Sequence, residues 1–97
     1  MAYDPGAIDA TLAAAVGDEP ALIAELRGAF LESVERGLSA LETAQGDEAW
    51  RAAAWRMRGL AASFGAIRLM AIATEAAEAM AHDPALMRRL RRAVERL

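Results

Sequence analysis

The sequence predicts an all-α protein: an up-down-up-down four-helix bundle with a short N-terminal helix as a lid. Apolar residues recur every three or four positions, the spacing of one helix face, and no stretch shows the alternation of a strand. Alanine, the strongest helix former, supplies 26 of the 97 residues. Short connections between long amphipathic helices favour antiparallel neighbours. The length fits a single domain over residues 1–97.

Proline and glycine mark the ends of the first two predicted helices. Asp4 and Pro5 suit the N-cap and first position of a short helix that ends at Gly17. A second helix begins near Pro20 and runs to about Ala44. Its predicted core stripe consists of Ile23, Leu26, Phe30, Val34, Leu38 and Leu41.

The third predicted helix has Asp47 as its N-cap and ends at Gly65. Its inward face carries Trp50, Ala53, Ala54, Met57, Leu60, Ala61 and Phe64. Gly28 and Gly37 lie inside the preceding helix, where they either mark close contacts between helices or weaken it.

The fourth helix is predicted from about Ile67 to Ala81, and the fifth from Asp83 and Pro84, as cap and first position, to Leu97. The inward residues of the fourth helix are Leu69, Ile72, Ala73, Ala76 and Met80. The methionines Met70, Met80 and Met87 are expected to fill gaps in the core rather than to bind a metal.

Charge is distributed unevenly along the chain. Residues 1–50 contain ten acidic residues and two arginines, a net charge of −8, whereas residues 51–97 contain nine arginines and four acidic residues, a net charge of +5. The halves should attract each other in the folded protein, and the arginine-rich half offers a face to an acidic partner. The final RRLRRAVER resembles a nucleic-acid patch, but helix-dipole complementarity explains it more simply, and the overall charge of −3 argues against nucleic acid.

Several function classes are excluded by what the sequence lacks. Without cysteine there are no disulfides or thiolate metal sites. No basic leader and no apolar run of membrane-spanning length is present, so a cytoplasmic protein without a membrane partner is expected. Neither a carboxylate pair, a nucleophile with its base nor a glycine-rich phosphate loop stands out. No enzyme activity, metal or cofactor is therefore predicted.

The most informative stretch is residues 53–66, AAWRMRGLAASFGA. On a helix, residues four apart share a face, so Trp55 lies between Arg51 and Gly59, with Arg58 at its flank. Glycine in a helix interior costs about 1 kcal/mol relative to alanine. Trp50 and Met57 already occupy the inward side, so Trp55 is predicted to be exposed, although a rotated helix would make it a core residue. The presence of Gly59 beside a tryptophan predicted to be exposed therefore requires a reason.

This stretch resembles the signature of histidine-containing phosphotransfer (HPt) domains. In that family a helix carries histidine, any residue, an apolar residue, lysine and glycine, and ends in an apolar residue followed by Gly-Ala. The matching positions here are Trp55, Arg56, Met57, Arg58 and Gly59, then Phe64, Gly65 and Ala66. The resemblance covers nearly the whole chain and implies a four-helix bundle in which Gly59 leaves room for a receiver domain. One departure is Ala76-Ala77-Glu78, late in the fourth helix, where the family usually has Leu-Glu.

The larger departure is Trp55, which stands where the family has the phosphoacceptor. The indole nitrogen is only a hydrogen-bond donor, so it cannot accept a phosphoryl group as neutral imidazole does. His82 is the sole histidine, and it sits at a helix junction without a glycine four residues later. We interpret His82 as a solvated residue or a weak C-terminal helix cap, and a working phosphotransferase using it is the least favoured hypothesis.

The sequence thus predicts a pseudo-phosphotransferase of a bacterial-type two-component phosphorelay. It would bind a response-regulator receiver domain or a histidine kinase as a non-phosphorylatable adaptor or competitor, and would be a monomer or a weak homodimer. The alternative is a helical module that self-associates through Trp55. A basic cluster is predicted around Trp55, or else an ordinary solvated helix surface, and its members are Arg51, Arg56, Arg58 and Arg68. The predicted partner-binding residues are Arg51, Trp55, Arg58, Gly59 and Ala62.

Overall fold

The structure, a computed structural model, describes residues 5–17 and 19–97, with side chains from Ile8 onward. No strand occurs within these residues, so the prediction of an all-α protein is confirmed. Their five helices are α1 (Pro5–Val16), α2 (Pro20–Thr43), α3 (Asp47–Ser63), α4 (Ile67–Glu78) and α5 (Pro84–Glu95). The predicted cap at Asp4 lies outside the described residues.

The helices pack mainly against their neighbours in sequence. Among the described helices, α3 contacts α2 on one side and α4 on the other, and α4 in turn packs on α5. α5 returns to contact α2, and α1 packs on α2. None of these helices is both long enough and apolar enough to cross a bilayer.

The core consists largely of the residues that the apolar spacing places inward. Phe30, Val34, Leu38 and Leu41 of α2 are buried, as is Trp50 of α3. The remaining predicted core residues of α3 and α4 that are buried are Ala53, Ala54, Met57, Ala61, Leu69, Ile72, Ala73 and Ala76. Helical spacing therefore identified the packed faces of α2, α3 and α4 correctly.

Four residues predicted to be inward are only partly buried, because they lie at the edge of the core. These are Ile23, Leu26, Leu60 and Phe64. Phe64 still contributes directly to packing, since its ring stacks on that of Phe30 with 4.4 Å between centroids.

The start of α3 differs from the prediction. Gly46, not Asp47, is the N-cap, and its φ of 90° and ψ of 163° lie in a region that glycine adopts more easily than other residues. Asp47 is the first helical residue, and its charge is favourable beside the positive N-terminus of the helix. At α5 the predicted cap is confirmed, because Asp83 Oδ2 accepts a hydrogen bond of 3.0 Å from the backbone N–H of Leu86.

Helix α4 ends earlier in the chain than predicted. The helix ends at Glu78, and Ala79 has extended backbone angles, so the helical period no longer determines which side chains point inward. Met80 is consequently 83% exposed, and the prediction that it fills the core was wrong. Met70 is partly buried and Met87 is buried. α5 likewise ends two residues before the predicted end, at Glu95.

The two glycines inside α2 have different surroundings. A Cβ on Gly37 would lie 2.9 Å from Met57 Cε, so Gly37 marks a close contact between α2 and α3. A Cβ on Gly28 would meet nothing within 4 Å. Only Gly37 is therefore explained by helix packing.

Trp50 and His82 connect the end of α2, the start of α3 and the α4–α5 junction. The indole N–H of Trp50 donates a buried hydrogen bond of 2.7 Å to the carbonyl oxygen of Ala76 in α4. His82 Nε2 lies 3.0 Å from the carbonyl oxygen of Leu41 in the last turn of α2, and its ring meets the Trp50 ring edge-on at 5.2 Å. With the proton on Nε2, His82 caps α2. The predicted weak cap therefore serves a helix that ends about forty residues earlier in the chain.

We expect His82→Ala to lower the free energy of unfolding by about 1–2 kcal/mol. The Leu41 carbonyl would keep only a long hydrogen bond of 3.4 Å from the Ala44 N–H, and alanine would still have to adopt the positive φ of 60°. Urea unfolding measures the change. His82→Gly is the matched control, because it removes the same ring but tolerates the positive φ. A larger loss with glycine than with alanine would contradict this account.

Candidate functional site

The five predicted partner-binding residues all lie exposed on one side of α3. Trp55 is 46% exposed, whereas Trp50, five residues earlier, is 1% exposed. This contrast agrees with the helix phase predicted from the sequence. We define the α3 face as the exposed residues Arg51, Trp55, Arg58, Gly59 and Ala62.

The face is open because of how α3 is packed. Its small buried residues Ala53, Ala54 and Ala61 turn toward the core, and Met57 reaches α2 at Gly37. Since α3 contacts only α2 and α4 among the described helices, no helix of that part covers the opposite side. Trp55 is therefore the one large apolar side chain of α3 left on the surface.

Arg58 is held against the indole rather than extended into solvent. Its Cζ lies 5.3 Å from the centroid of the Trp55 ring, a cation–π contact of about 0.5–1 kcal/mol at an exposed position. Its Nε donates a hydrogen bond of 3.1 Å to Thr74 Oγ1 in α4, and that hydroxyl donates to the Met70 carbonyl at 2.9 Å. The two terminal nitrogens of Arg58 have no hydrogen-bond or ion-pair partner within the described residues. They are free to bind a carboxylate or phosphate in a forked geometry.

Thr74 is the residue of this face that sequence reasoning missed. No local signal in the sequence marks it, because its role depends on which turn of α4 lies beside Arg58. A threonine hydroxyl bonded to the carbonyl four residues earlier is a common local arrangement and indicates nothing about a neighbouring helix.

Gly59 has no structural explanation within the fold. It lies in the middle of α3, and a Cβ built on it would meet nothing within 4 Å. Its φ lies outside the positive range, so alanine would fit the same backbone. Together with Ala62 and Ser63 it makes the surface beyond Trp55 shallow, and the Ser63 hydroxyl is turned back onto the Gly59 carbonyl at 2.9 Å.

The predicted basic cluster around Trp55 is smaller than expected. Arg51 is exposed, and within the described residues no cation–π contact joins it to the indole. Arg56 is exposed beside the face. Arg68 lines a separate groove between α4 and α5. Among contacts within the described part of the chain, only Arg58 of these four arginines is positioned by its side chain.

His82 lies away from the α3 face. Its contacts are with Leu41 and Trp50, at the end of α2 and the start of α3, whereas Gly59 lies in the C-terminal half of α3.

No protein-family model, curated protein or solved structure matches this chain. What distinguishes the α3 face is its chemistry: an exposed indole, an oriented guanidinium and a shallow surface beside them.

Proposed function

We propose that this protein is an HPt-like signalling protein without a phosphoacceptor, which binds a response-regulator receiver domain or a histidine kinase through the α3 face. The observation that carries the proposal is Gly59. A glycine that the fold does not require, one helical turn from an exposed tryptophan, is explained by a partner that approaches the backbone closely.

Each residue of the face has a distinct role in this proposal. Trp55 is the apolar anchor, since tryptophan is among the residues that contribute most to binding at interfaces. The free nitrogens of Arg58 meet acidic groups of the partner, and Arg51 adds a second positive charge. Gly59 and Ala62 allow the partner to reach the helix surface.

The helix arrangement supports the same interpretation. α2, α3, α4 and α5 pack in succession, and α5 returns to α2, as expected for a four-helix bundle with α1 as a lid on α2. In the HPt architecture implied by the resemblance, the phosphoacceptor position is on the exposed side of the helix that corresponds to α3. In this proposal Trp55 stands at that position, and its exposure supports the assignment.

Trp55 makes the proposed protein a binder rather than a phosphotransferase. Its indole nitrogen has no lone pair in the ring plane to attack a phospho-aspartate. A bound receiver would therefore keep its phosphoryl group. The protein would act as an adaptor, or as a competitor of phosphotransfer proteins that use the same receiver surface.

Titration calorimetry against a panel of purified receiver domains and histidine kinases tests the proposal, together with the elution volume of the protein alone on a sizing column. We expect saturable binding to at least one of these proteins and a monomer at the concentrations used. Absence of binding to the whole panel, combined with a dimer that Trp55→Ala dissociates, would instead support self-association through the same face.

Substitution of Gly59 separates a binding role from a folding role. We expect Gly59→Ala to raise the free energy of unfolding by about 0.5–1 kcal/mol, because alanine is the better helix former and its methyl group meets nothing. The same methyl group should weaken receiver binding by about 1 kcal/mol or more, as overpacking does in a closely fitted contact.

Gly28→Ala is the matched control for this prediction, since Gly28 also lies in a helix interior with open space at its Cβ. It should give a similar gain in stability and leave binding unchanged. If both variants bind the receiver as the wild type does, Gly59 is not part of a close interface.

A further inference from the structure

A second, more polar surface lies between α4 and α5, on a different side of α4 from Thr74. This α4–α5 groove has a volume of about 210 Å³. Arg68 and Glu75 of α4 and Arg89 and Arg92 of α5 supply its charged groups, and Ala71, Ile72 and Ala93 its apolar ones. Nothing in the proposed role of the α3 face accounts for it.

The charges in the groove are not balanced. Glu75 accepts two hydrogen bonds of 2.8 Å from the two terminal nitrogens of Arg89, so both of its oxygens are engaged by one partner. The hydrogen bonds from Arg89 hold the pKa of the Glu75 carboxyl below its usual value, so Glu75 stays ionised at neutral pH. Within the described residues the side chains of Arg68 and Arg92 form no ion pair and no hydrogen bond. Three arginines and one glutamate leave a net charge of +2 in the groove.

We propose that the α4–α5 groove binds a phosphate group, as a free ion or as the monoester of a small molecule. The ligand would lie between the unpaired guanidinium groups of Arg68 and Arg92. Arg89, fixed by Glu75, forms part of the wall beside them.

Phosphate fits this groove better than a single carboxylate does. A phosphate monoester carries close to two negative charges at neutral pH and three acceptor oxygens, which matches a net charge of +2 and two free guanidinium forks. The small side chains of Ala71 and Ala93 leave the space between the arginines open. A carboxylate would neutralise only one of the two free charges.

Amide spectra recorded by NMR during titration of the intact chain test the proposal. Inorganic phosphate and glycerol 3-phosphate are the two probes, at pH 8, and acetate and chloride at equal ionic strength are the controls. We expect saturable shifts centred on Ala71 and Ala93, with half-saturation at about 1 mM or below for at least one phosphate probe. A stronger response to glycerol 3-phosphate would identify the monoester as the ligand, and an equal response would identify the free ion.

Arginine variants assign the binding to this groove. Arg68→Gln and Arg92→Gln should each weaken phosphate binding about tenfold or more, because each removes a forked charged contact. Arg56→Gln is the matched control, since it removes the same charge from an exposed position on α3. It should change binding by less than about twofold. The proposal is wrong if phosphate gives no saturable shifts, if acetate or chloride gives the same shifts, or if Arg56→Gln weakens binding as much as the groove variants do.

Discussion

Trp55→His is expected to accept phosphate from a phosphorylated receiver domain, whereas the wild-type protein accepts none. The imidazole would supply the ring nitrogen that indole lacks. Arg58, oriented by Thr74, would place a positive charge beside the new histidine, and Gly59 already leaves the approach open. Under the proposed function, Arg58 and Gly59 are the surroundings of a phosphoacceptor, and Trp55 stands in place of the acceptor.

Acid-labile label on the protein after incubation with a phosphorylated receiver measures this gain. Trp55→Gln is the control, because it removes the indole without adding a nucleophilic nitrogen. Label on the wild type that disappears in His82→Ala would overturn the central interpretation. An unlabelled Trp55→His would mean that the rest of the face has also diverged from phosphotransfer, which would favour self-association.

The two tryptophans should respond in opposite ways to replacement by alanine. Trp55→Ala should weaken binding to the receiver by about 2 kcal/mol or more, which is about thirtyfold, while leaving the free energy of unfolding nearly unchanged. Trp50→Ala should lower the free energy of unfolding by about 3–5 kcal/mol, because Trp50 is enclosed in the core and its N–H is bonded to the Ala76 carbonyl. Titration calorimetry measures the first effect and urea unfolding the second.

Ile67→Ala is the matched control for loss of an exposed apolar side chain. Ile67 is exposed at the start of α4, outside the α3 face, so its loss should affect neither binding nor stability by more than about 0.5 kcal/mol. If Trp55→Ala instead destabilises the fold by 3 kcal/mol or more, as typical of a large core residue, Trp55 acts in packing and not in binding.

Helical periodicity was enough to predict the elements and the orientation of α3. Trp50 and Trp55 are chemically identical, and their positions relative to Met57 alone indicated which one is buried. Proline and glycine predicted where helices begin and end, as at Gly17 and Pro84. These features depend on residues within a few positions of each other, so they can be recognised from the sequence alone.

Features that depend on contacts between distant residues could not be predicted. The hydrogen bond of Arg58 to Thr74 and that of His82 to Leu41 each depend on the relative position of two helices.

The ends of helices were a second source of error. Met80 was assigned to the core because the helical period was continued past the true end of α4. At Gly46 the backbone conformation, rather than the side chain of Asp47, determines the N-cap.

The contact between Arg58 and Thr74 makes the geometry of the α3 face depend on a second helix. Trp55 and Arg58 both belong to α3, but the guanidinium of Arg58 is held beside the indole by its hydrogen bond to Thr74 of α4. Sliding of α4 along α3 would break this hydrogen bond or pull the guanidinium away from the ring, without changing any residue of the surface. The hydrogen bond from Trp50 to the Ala76 carbonyl joins the same two helices inside the core and opposes that sliding. Under the proposed function, Trp50 therefore maintains the helix alignment on which partner binding by Trp55 and Arg58 depends.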